Sequence, residues 1–209
     1  MDEVGIDEVG RGALAGPLVV GAVILGTPID GLRDSKTLSR PQRTNLARII
    51  TQEAAACGLG WVSSKEVDRL GLTKAIRLAI LRALKQIEAI PGNSIKSIII
   101  DGNYNFLADD PRSNTVIKAD SSVACVSAAS IIAKVARDEW MINTAAKLYP
   151  LYRFENHVGY GTQSHIEYLR RFGPCAIHRV SFKPLSSSNC QVKGGLRPGI
   201  NNTGEQVSG

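Results

Sequence analysis

The acidic side chains that could do chemistry lie at predicted strand ends or beside glycines. Asp7 and Glu8 precede a glycine-rich turn, Asp101 follows three isoleucines, and Asp120 follows a short apolar run. A carboxylate directly after buried apolar residues is costly to ionise unless a partner compensates its charge. In open α/β sheets, ligands bind beyond the carboxyl ends of the strands. Each acid considered alone is more simply explained as a helix cap or a turn residue. Asp120, for example, precedes two serines and could cap the helix that follows.

A cluster of these acids would need a cation. Two carboxylates about 5 Å apart repel each other by roughly 3 kcal/mol at an effective dielectric constant of about 20. An all-oxygen ligand set without a histidine or cysteine cluster favours Mg²⁺ or Mn²⁺ over zinc. Two such ions about 4 Å apart can bind the attacking and the leaving oxygen of a phosphodiester. Converging acids would therefore indicate phosphodiester chemistry.

Two glycine-flanked side chains are suited to nucleic acids. Gly10-Arg11-Gly12 combines glycines, which let the backbone approach a ligand, with a guanidinium group that binds phosphate. Most tripeptides of this kind are simply turns. Tyr160 lies between two glycines, which would expose its ring for stacking on a base or a sugar. The alternative for Tyr160 is a core position with a hydrogen-bonded hydroxyl.

The histidines and cysteines do not form a recognisable metal site. The 3 histidines, His157, His165 and His178, lie close together in sequence, but their spacing matches no zinc motif. The 4 cysteines contain no Cys-x-x-Cys pair, so neither a disulfide framework nor a zinc ribbon is indicated. We expect reduced thiols in a cytoplasmic protein, and the sequence leaves the role of the histidines open.

The composition is that of a folded domain without a membrane segment. The chain has 209 residues, of which 44% are hydrophobic and 21% charged, which argues against a collagen-like or wholly disordered chain. Its most apolar stretch, residues 14–25, is shorter than the about 20 residues of a membrane helix. The acidic start, Asp2-Glu3, is unlike a signal peptide. A net charge of +6 is compatible with a polyanionic partner.

Strand and helix patterns alternate along the chain and predict an α/β layered domain. Apolar and β-branched runs predict strands at residues 18–25, 58–63, 98–100 and 116–117. Helix-start signals and apolar stripes predict helices at residues 39–56, from Thr73 as N-cap to about 87, at 122–148 and at 163–172. From Ser186 the chain is rich in Ser, Gly, Asn and Pro, which predicts a disordered tail. We therefore divide the chain into a folded domain, residues 1–184, and a tail, residues 185–209.

Several separated motifs together resemble the ribonuclease HII family, in the order in which that family carries them. They span nearly everything before the tail. The motifs are Gly5-Ile6-Asp7-Glu8-Val9-Gly10-Arg11-Gly12, Asp34-Ser35-Lys36, Asp101-Gly102, Lys118-Ala119-Asp120, residues 128–138 and Gly159-Tyr160-Gly161-Thr162. Val9 stands where alanine is more usual, and Ala119 stands where bacterial members often have glycine. Neither departure removes an acid.

The resemblance implies a ribonuclease H-like fold, an α/β fold with a central mixed sheet flanked by helices and a helical C-terminal segment. It also implies a role for each matching residue. The metal-binding and catalytic carboxylates would be Asp7, Glu8, Asp101 and Asp120, holding two Mg²⁺ or Mn²⁺ ions. The substrate-binding residues would be Gly10, Arg11 and Gly12 at the junction, Tyr160 at the 2′-hydroxyl, and Lys36 and Lys134 at the phosphates. Asp138 is an alternative fourth acid, and we prefer Asp120 because it lies at a helix entrance facing the sheet edge.

The implied activity is endonucleolytic cleavage of RNA in RNA–DNA hybrids and at single ribonucleotides in duplex DNA. The products would carry 5′-phosphate and 3′-hydroxyl ends, as in ribonucleotide excision repair and DNA replication. The resemblance implies a monomer that does not contact membranes. The tail lacks the glutamine and paired aromatics of a replication-clamp motif, which disfavours that partner through this segment.

Three other interpretations have less support. The type III enzyme of the same superfamily usually carries an additional N-terminal domain and a different residue at Arg11, whereas here the motif begins by Gly5. A non-catalytic module that binds hybrids would be expected to lack an acid, and all four are present. A generic α/β protein whose acids are helix caps does not account for the joint occurrence of the motifs.

Overall fold

The computed structural model describes residues 3–32, 38–92 and 94–186. The strands are β1 (Glu3–Val9), β2 (Leu18–Ile24), β3 (Ala56–Val62), β4 (Ser97–Asp101) and β5 (Ser113–Val116). The helices are α1 (Arg40–Glu53), α2 (Ser64–Leu70), α3 (Leu72–Glu88), α4 (Ala119–Ser122), α5 (Ala124–Trp140), α6 (Ala146–Leu148), α7 (Phe154–His157) and α8 (Gln163–Phe172). A π-helical turn, Met141–Ala145, joins α5 to α6, and a 3₁₀ turn, Pro150–Tyr152, precedes α7.

The strands form one mixed sheet in the order β3-β2-β1-β4-β5. Strands β1, β2 and β3 are antiparallel neighbours, whereas β4 runs parallel to both β1 and β5. The carboxyl ends of β1, β4 and β5 therefore meet at one edge of the sheet. Ligands of α/β proteins bind at such an edge. The predicted architecture, a central mixed sheet flanked by helices, is confirmed.

Helices cover both faces of the sheet. Helix α3 packs on one face, where Ile76 and Ile80 join the buried side chains of β1 and β2 in the larger core. Helices α1 and α5 cover the other face around a second core that includes Ile50 and Ile131. Helix α5 lies close to the sheet because Gly21 has no side chain, since a Cβ there would overlap the main chain of α5. Its side chains therefore reach the strand that carries Asp7.

The C-terminal segment packs as a third unit against the segment that follows β1. Met141, Phe154 and Leu169 form its core with further aromatic rings. An antiparallel bridge between Ala15 and His178 connects it to the segment that follows Gly12. The predicted helical C-terminal segment is confirmed, and the tail beyond residue 186 lies outside the described residues. None of the helices in the described ranges is long and apolar enough to span a membrane.

Several predicted boundaries are wrong. Thr73 is not an N-cap, because the helix begins at Leu72 and Gly71, with φ +75°, caps it. Residues 122–148 are not one uniform helix, because Val123 is extended and separates α4 from the helical run that starts at Ala124. Strand β5 ends at Val116, and the prediction of residues 116–117 missed most of it. Strand β1 and helix α2 were not predicted.

Candidate active site

Three of the predicted acids lie next to one another at the carboxyl ends of β1 and β4. The parallel register pairs Ile6 with Ile100, so Asp7 and Asp101 each follow the last registered pair. Glu8, one residue beyond Asp7, also interacts electrostatically with Asp101. The topology thus places these carboxylates where the sequence pattern predicts ligand binding.

Burial changes the protonation of Asp7. Loss of hydration, and after it the negative charges of Glu8 and Asp101, raise the pKa of Asp7 from 3.8 to about 7. The hydroxyl of Ser130, on α5, donates a hydrogen bond to Asp7 and opposes this rise. An acid with this pKa is protonated in a substantial fraction of molecules near neutral pH, and a bound cation would displace that proton.

Glu8 is held by the arginine of the glycine-rich loop. The pKa of Glu8 is raised, chiefly by burial, and the charge of Arg11 opposes the rise. Nη1 of Arg11 lies 3.3 Å from Oε1 of Glu8. This ion pair joins the acidic group to the loop Gly10-Arg11-Gly12.

Asp101 caps the helix that carries Asp120. Oδ1 of Asp101 accepts hydrogen bonds from the N–H of Ala119 at 2.7 Å and of Asp120 at 3.4 Å. Lys118 has φ +58° and turns the chain into this helix. Asp120 is 9% exposed and its carbonyl oxygen accepts a short hydrogen bond from Ser127. The main chain of Asp120 therefore lies against the acidic group.

The acids fit a divalent cation in donor type and charge, but they do not yet form a coordination sphere. Among residues 3–32, 38–92 and 94–186, no group of three or more Asp, Glu, His or Cys side chains is arranged to hold a metal ion. Carboxylate oxygens are nevertheless the ligands that Mg²⁺ and Mn²⁺ prefer. A nearby cation would also oppose the raised pKa of Asp7, because opposite charge favours the ionised form.

The two glycines of the loop lie in different surroundings. Gly10 has φ +84°, and a Cβ there would overlap the guanidinium of Arg137 and lie 2.8 Å from the carbonyl oxygen of Pro17. Gly12 is not among the residues with positive φ, and a Cβ there would have no protein atom within 4 Å. The protein itself therefore requires glycine at position 10 and leaves open space at position 12.

Two fully buried arginines hold this loop from the inside. Arg179 donates to the carbonyl oxygens of Gly10 at 2.7 Å and Arg11 at 3.2 Å. Arg137 donates to the carbonyl oxygens of Pro17 at 2.9 Å and Ala15 at 3.2 Å. Burial lowers the pKa of both, that of Arg179 to about 10, so both stay charged at neutral pH.

The direction of the carbonyls determines the direction of the amides. In a trans peptide, the C=O of one residue and the N–H of the next point in opposite directions. Because the carbonyls of Gly10 and Arg11 point inward to Arg179, the N–H groups of Arg11 and Gly12 point outward. The loop thus presents two adjacent main-chain donors beside Glu8.

Tyr160 lies half-buried against two cations. The guanidinium carbon of Arg137 lies 5.2 Å from the centre of its ring and Nζ of Lys134 lies 5.7 Å away. Lys134 also forms an ion pair with Asp138 at 2.8 Å. Asp138, the alternative fourth acid, therefore interacts with a lysine, whereas Asp120 lies beside Asp101.

The comparison with protein families identifies the family of the chain. The sequence model of the family described as Ribonuclease HII matches residues 4–185. The chain belongs to the ribonuclease HII family. The ribonuclease HII of Sulfurovum sp. strain NBC37-1 is 46% identical over 180 residues, which is 86% of this chain and 90% of that protein. The enzyme of Nitrosococcus oceani is 42% identical over 183 residues, 87% of this chain and 88% of that protein.

Solved structures of ribonucleases HII and HIII share the fold. Ribonuclease H2 from Pyrococcus horikoshii OT3 matches with a TM-score of 0.69 at 25% identity, over 89% of this chain and 96% of that one. RNase HII of Archaeoglobus fulgidus, solved with PCNA, matches with a TM-score of 0.72 at 23% identity, over 92% of this chain and 98% of that one. Bst-RNase HIII, solved with Mn²⁺, matches with a TM-score of 0.68 at 23% identity, over 88% of this chain and 68% of that one.

Membership of the ribonuclease HII family makes this chain a ribonuclease H endonuclease, a hydrolase that acts on phosphodiester bonds. The structure brings Asp7, Glu8 and Asp101 together with the glycine-rich loop. Lys36 lies outside the described residues. Arg179 holds the carbonyl oxygens of this loop and Arg137 holds those of Ala15 and Pro17 after it, and the sequence pattern predicted neither role.

Proposed function

We propose that this protein cleaves the RNA strand of RNA–DNA hybrids and cuts at single ribonucleotides in duplex DNA. The observation that supports this proposal best is the ion pair between Glu8 and Arg11, at 3.3 Å. This ion pair connects the buried acids to the loop that carries the outward main-chain N–H groups. The acids could hold metal ions for phosphodiester cleavage, and the N–H groups could donate to a ribose hydroxyl. The products would carry 5′-phosphate and 3′-hydroxyl ends.

Asp7, Glu8, Asp101 and Asp120 would hold two divalent ions, Mg²⁺ or Mn²⁺. Such ions supply an activated water and stabilise the leaving oxygen of a phosphodiester. Ser130 would keep the carboxylate of Asp7 oriented through its hydrogen bond. Asp101 would keep Asp120 in place by accepting hydrogen bonds from the start of α4.

The loop and Tyr160 would recognise the ribonucleotide. The 2′-hydroxyl distinguishes RNA from DNA and can accept a hydrogen bond from a main-chain N–H. The N–H groups of Arg11 and Gly12 point outward, and the open space at Gly12 would admit the sugar. The ring of Tyr160 would pack against the neighbouring sugar.

Lysines would bind the phosphates of the duplex. The chain carries a net charge of +6, and phosphate neutralisation makes affinity fall as salt concentration rises. Lys134 lies beside the ring of Tyr160. Lys36 would add a second phosphate contact, and the basic charge of the protein would favour binding to both substrates.

The test uses a labelled DNA duplex that contains one ribonucleotide, incubated with Mg²⁺, with Mn²⁺ or with chelator. We expect metal-dependent cutting on the 5′ side of the ribonucleotide, and no cutting of the all-DNA duplex. Asp101→Asn should abolish cutting and keep duplex binding, because it removes a carboxylate and no phosphate contact.

Asp109→Asn provides a matched control. Asp109 is an acid paired with Arg77 at 2.6 Å on the protein surface, so its substitution should leave cutting unchanged. Full activity of Asp101→Asn would refute the site. Binding without any cutting by the wild-type protein would indicate a module that binds hybrids instead.

A further inference from the structure

The three histidines lie together in the C-terminal segment and are almost fully buried. His157, His165 and His178 are 6%, 0% and 3% exposed. The rings of His157 and His165 stack with their centres 4.3 Å apart. Nε2 of His165 lies 3.0 Å from Nε2 of His178. The catalytic function proposed above uses none of these rings.

The direction of the hydrogen bonds determines where each proton lies. The N–H of Cys175 donates to Nδ1 of His178 at 2.8 Å, so a neutral His178 carries its proton on Nε2. That proton is donated to Nε2 of His165, which leaves the proton of His165 on Nδ1. Nδ1–H of His165 then donates to the carbonyl oxygen of Tyr160 at 2.9 Å. The hydrogen bonds run in one direction, from Cys175 to Tyr160.

His178 also contacts the segment that follows Gly12. Its main chain pairs with Ala15. The N–H of Ala15 in turn donates to the carbonyl oxygen of Gly159, beside Tyr160, at 3.1 Å. One histidine is therefore connected to both segments that would recognise the ribonucleotide.

We propose that His165 and His178 are positioning residues that hold the main chain of Tyr160 so that its ring meets the ribose. This proposal rests on the role proposed above for Tyr160. The carbonyl oxygen of Tyr160 accepts one further hydrogen bond, from the N–H of Thr162 at 2.8 Å. Since Gly161 follows, the peptide after Tyr160 can rotate easily when the bond from His165 is lost.

The surroundings keep both rings neutral, as the hydrogen bonds require. Burial, and to a lesser extent mutual repulsion among the histidines, lower the pKa of His165 to about 4 and that of His178 to about 3. The titratable groups that face the histidines are Tyr152, Tyr168 and Cys175, together with Glu155, whose charge acts on His157. A proton added to His165 or His178 would bring two N–H groups face to face.

The first experiment measures the tautomers directly by ¹⁵N NMR of the full chain at pH 7. Because the protein has 3 histidines, single variants assign every signal. We expect His165 as the Nδ1–H tautomer and His178 as the Nε2–H tautomer. An Nε2–H tautomer or a charged ring at His165 would overturn the proposal, whatever the activity of the variants.

The second experiment compares two amides at position 165. In His165→Asn, the amide replaces Nδ1 and can still donate to Tyr160, whereas in His165→Gln it replaces Nε2 and cannot. We expect His165→Asn to keep kcat within about threefold, and His165→Gln to lower kcat about tenfold or more through misplacement of the ring. KM should change little, because phosphate contacts dominate affinity. Equal effects of the two variants would refute a role through Tyr160.

Repeating His165→Gln in a Tyr160→Ala background separates positioning from stability. Without the ring, the substitution has nothing left to position and should lower kcat no further. The same fold-loss in both backgrounds would show a structural role and refute the proposal. If His165→Gln does not fold, two variants of His178 provide the same test. His178→Gln retains a donor at the position of Nε2 and should keep kcat, whereas His178→Asn loses that donor and should lower kcat. A wild-type protein that cuts no ribonucleotide-containing duplex would refute the proposed function as well, whereas failure of these variants alone refutes only the positioning role.

Discussion

Substitution of the two loop glycines by alanine should have opposite effects. At position 10, an L-residue with φ +84° costs about 1–2 kcal/mol. Overlap with Arg137 and with Pro17, 2.8 Å from the added Cβ, costs about 1–3 kcal/mol more. Gly10→Ala should therefore lose about 2–5 kcal/mol in the free energy of unfolding. For a domain of this size, this corresponds to a Tm lower by roughly 4–20 °C.

Gly12→Ala makes the same chemical change where the protein leaves space. Its Cβ would have no protein atom within 4 Å, so the Tm should stay unchanged or rise slightly. The added methyl group would instead occupy the space proposed for the ribose. A displacement of about 1 Å at the reacting bond can lower the rate by about 100-fold. We therefore expect a stable protein with about 100-fold lower kcat/KM.

The assay combines thermal unfolding with cleavage of the single-ribonucleotide duplex at 20 °C, where circular dichroism confirms that both variants are folded. Cleavage by Gly12→Ala at the wild-type rate would refute the proposed approach of substrate to this loop. A Gly12→Ala protein destabilised as much as Gly10→Ala would show that the loop geometry described here is wrong.

Further predictions concern the buried groups. Arg179→Met removes charged hydrogen bonds to the carbonyl oxygens of Gly10, Arg11 and Gly16 and should destabilise the protein by about 3–6 kcal/mol in urea unfolding. The exposed Arg171→Met should stay within about 0.5 kcal/mol. Asp120→Asn should abolish cleavage, whereas Asp138→Asn should retain most of it, as measured by kcat; the reverse order would assign the fourth acid to Asp138. The raised pKa of Asp7 means that the metal-free native state binds a proton between pH 4 and about 7 that the unfolded state lacks, so stability falls as pH rises through this range. Asp7→Asn should therefore raise the Tm of the metal-free protein at pH 8 and not at pH 4, and equal shifts at both pH values would contradict this assignment.

The sequence predicted the acids at the sheet edge because local patterns carry that information. Three isoleucines before Asp101 indicate a buried strand that ends in a carboxylate, and the structure places this residue at the end of β4. Strand β1 was missed because Glu3, Asp7 and Glu8 make it too polar to resemble a buried strand. Which strands are neighbours depends on the whole sheet, so the proximity of Asp7 to Asp101 had no local signal.

The buried arginines had no local signal either. Arg179 contacts Gly10 across 169 positions of sequence, and its partners are carbonyl oxygens that every residue has. The histidine spacing disfavours zinc but gives no other role, and only the structure shows that the rings of His165 and His178 bind each other and that His165 binds the main chain of Tyr160. Contacts with the main chain leave no mark in the pattern of side-chain types.

The contact between Arg179 and the loop also determines how late in synthesis the loop can acquire its folded-state contacts. The loop is made within the first dozen residues, whereas the side chain that holds its carbonyls belongs to the last part of the described chain. Domains begin to fold from the N-terminus while the ribosome is still working. Between the synthesis of Asp120 and that of Arg179, the acids are therefore present without a shaped loop beside them. A nascent chain, or one truncated before Arg179, would thus lack the contact that holds the carbonyl oxygens of Gly10 and Arg11 inward.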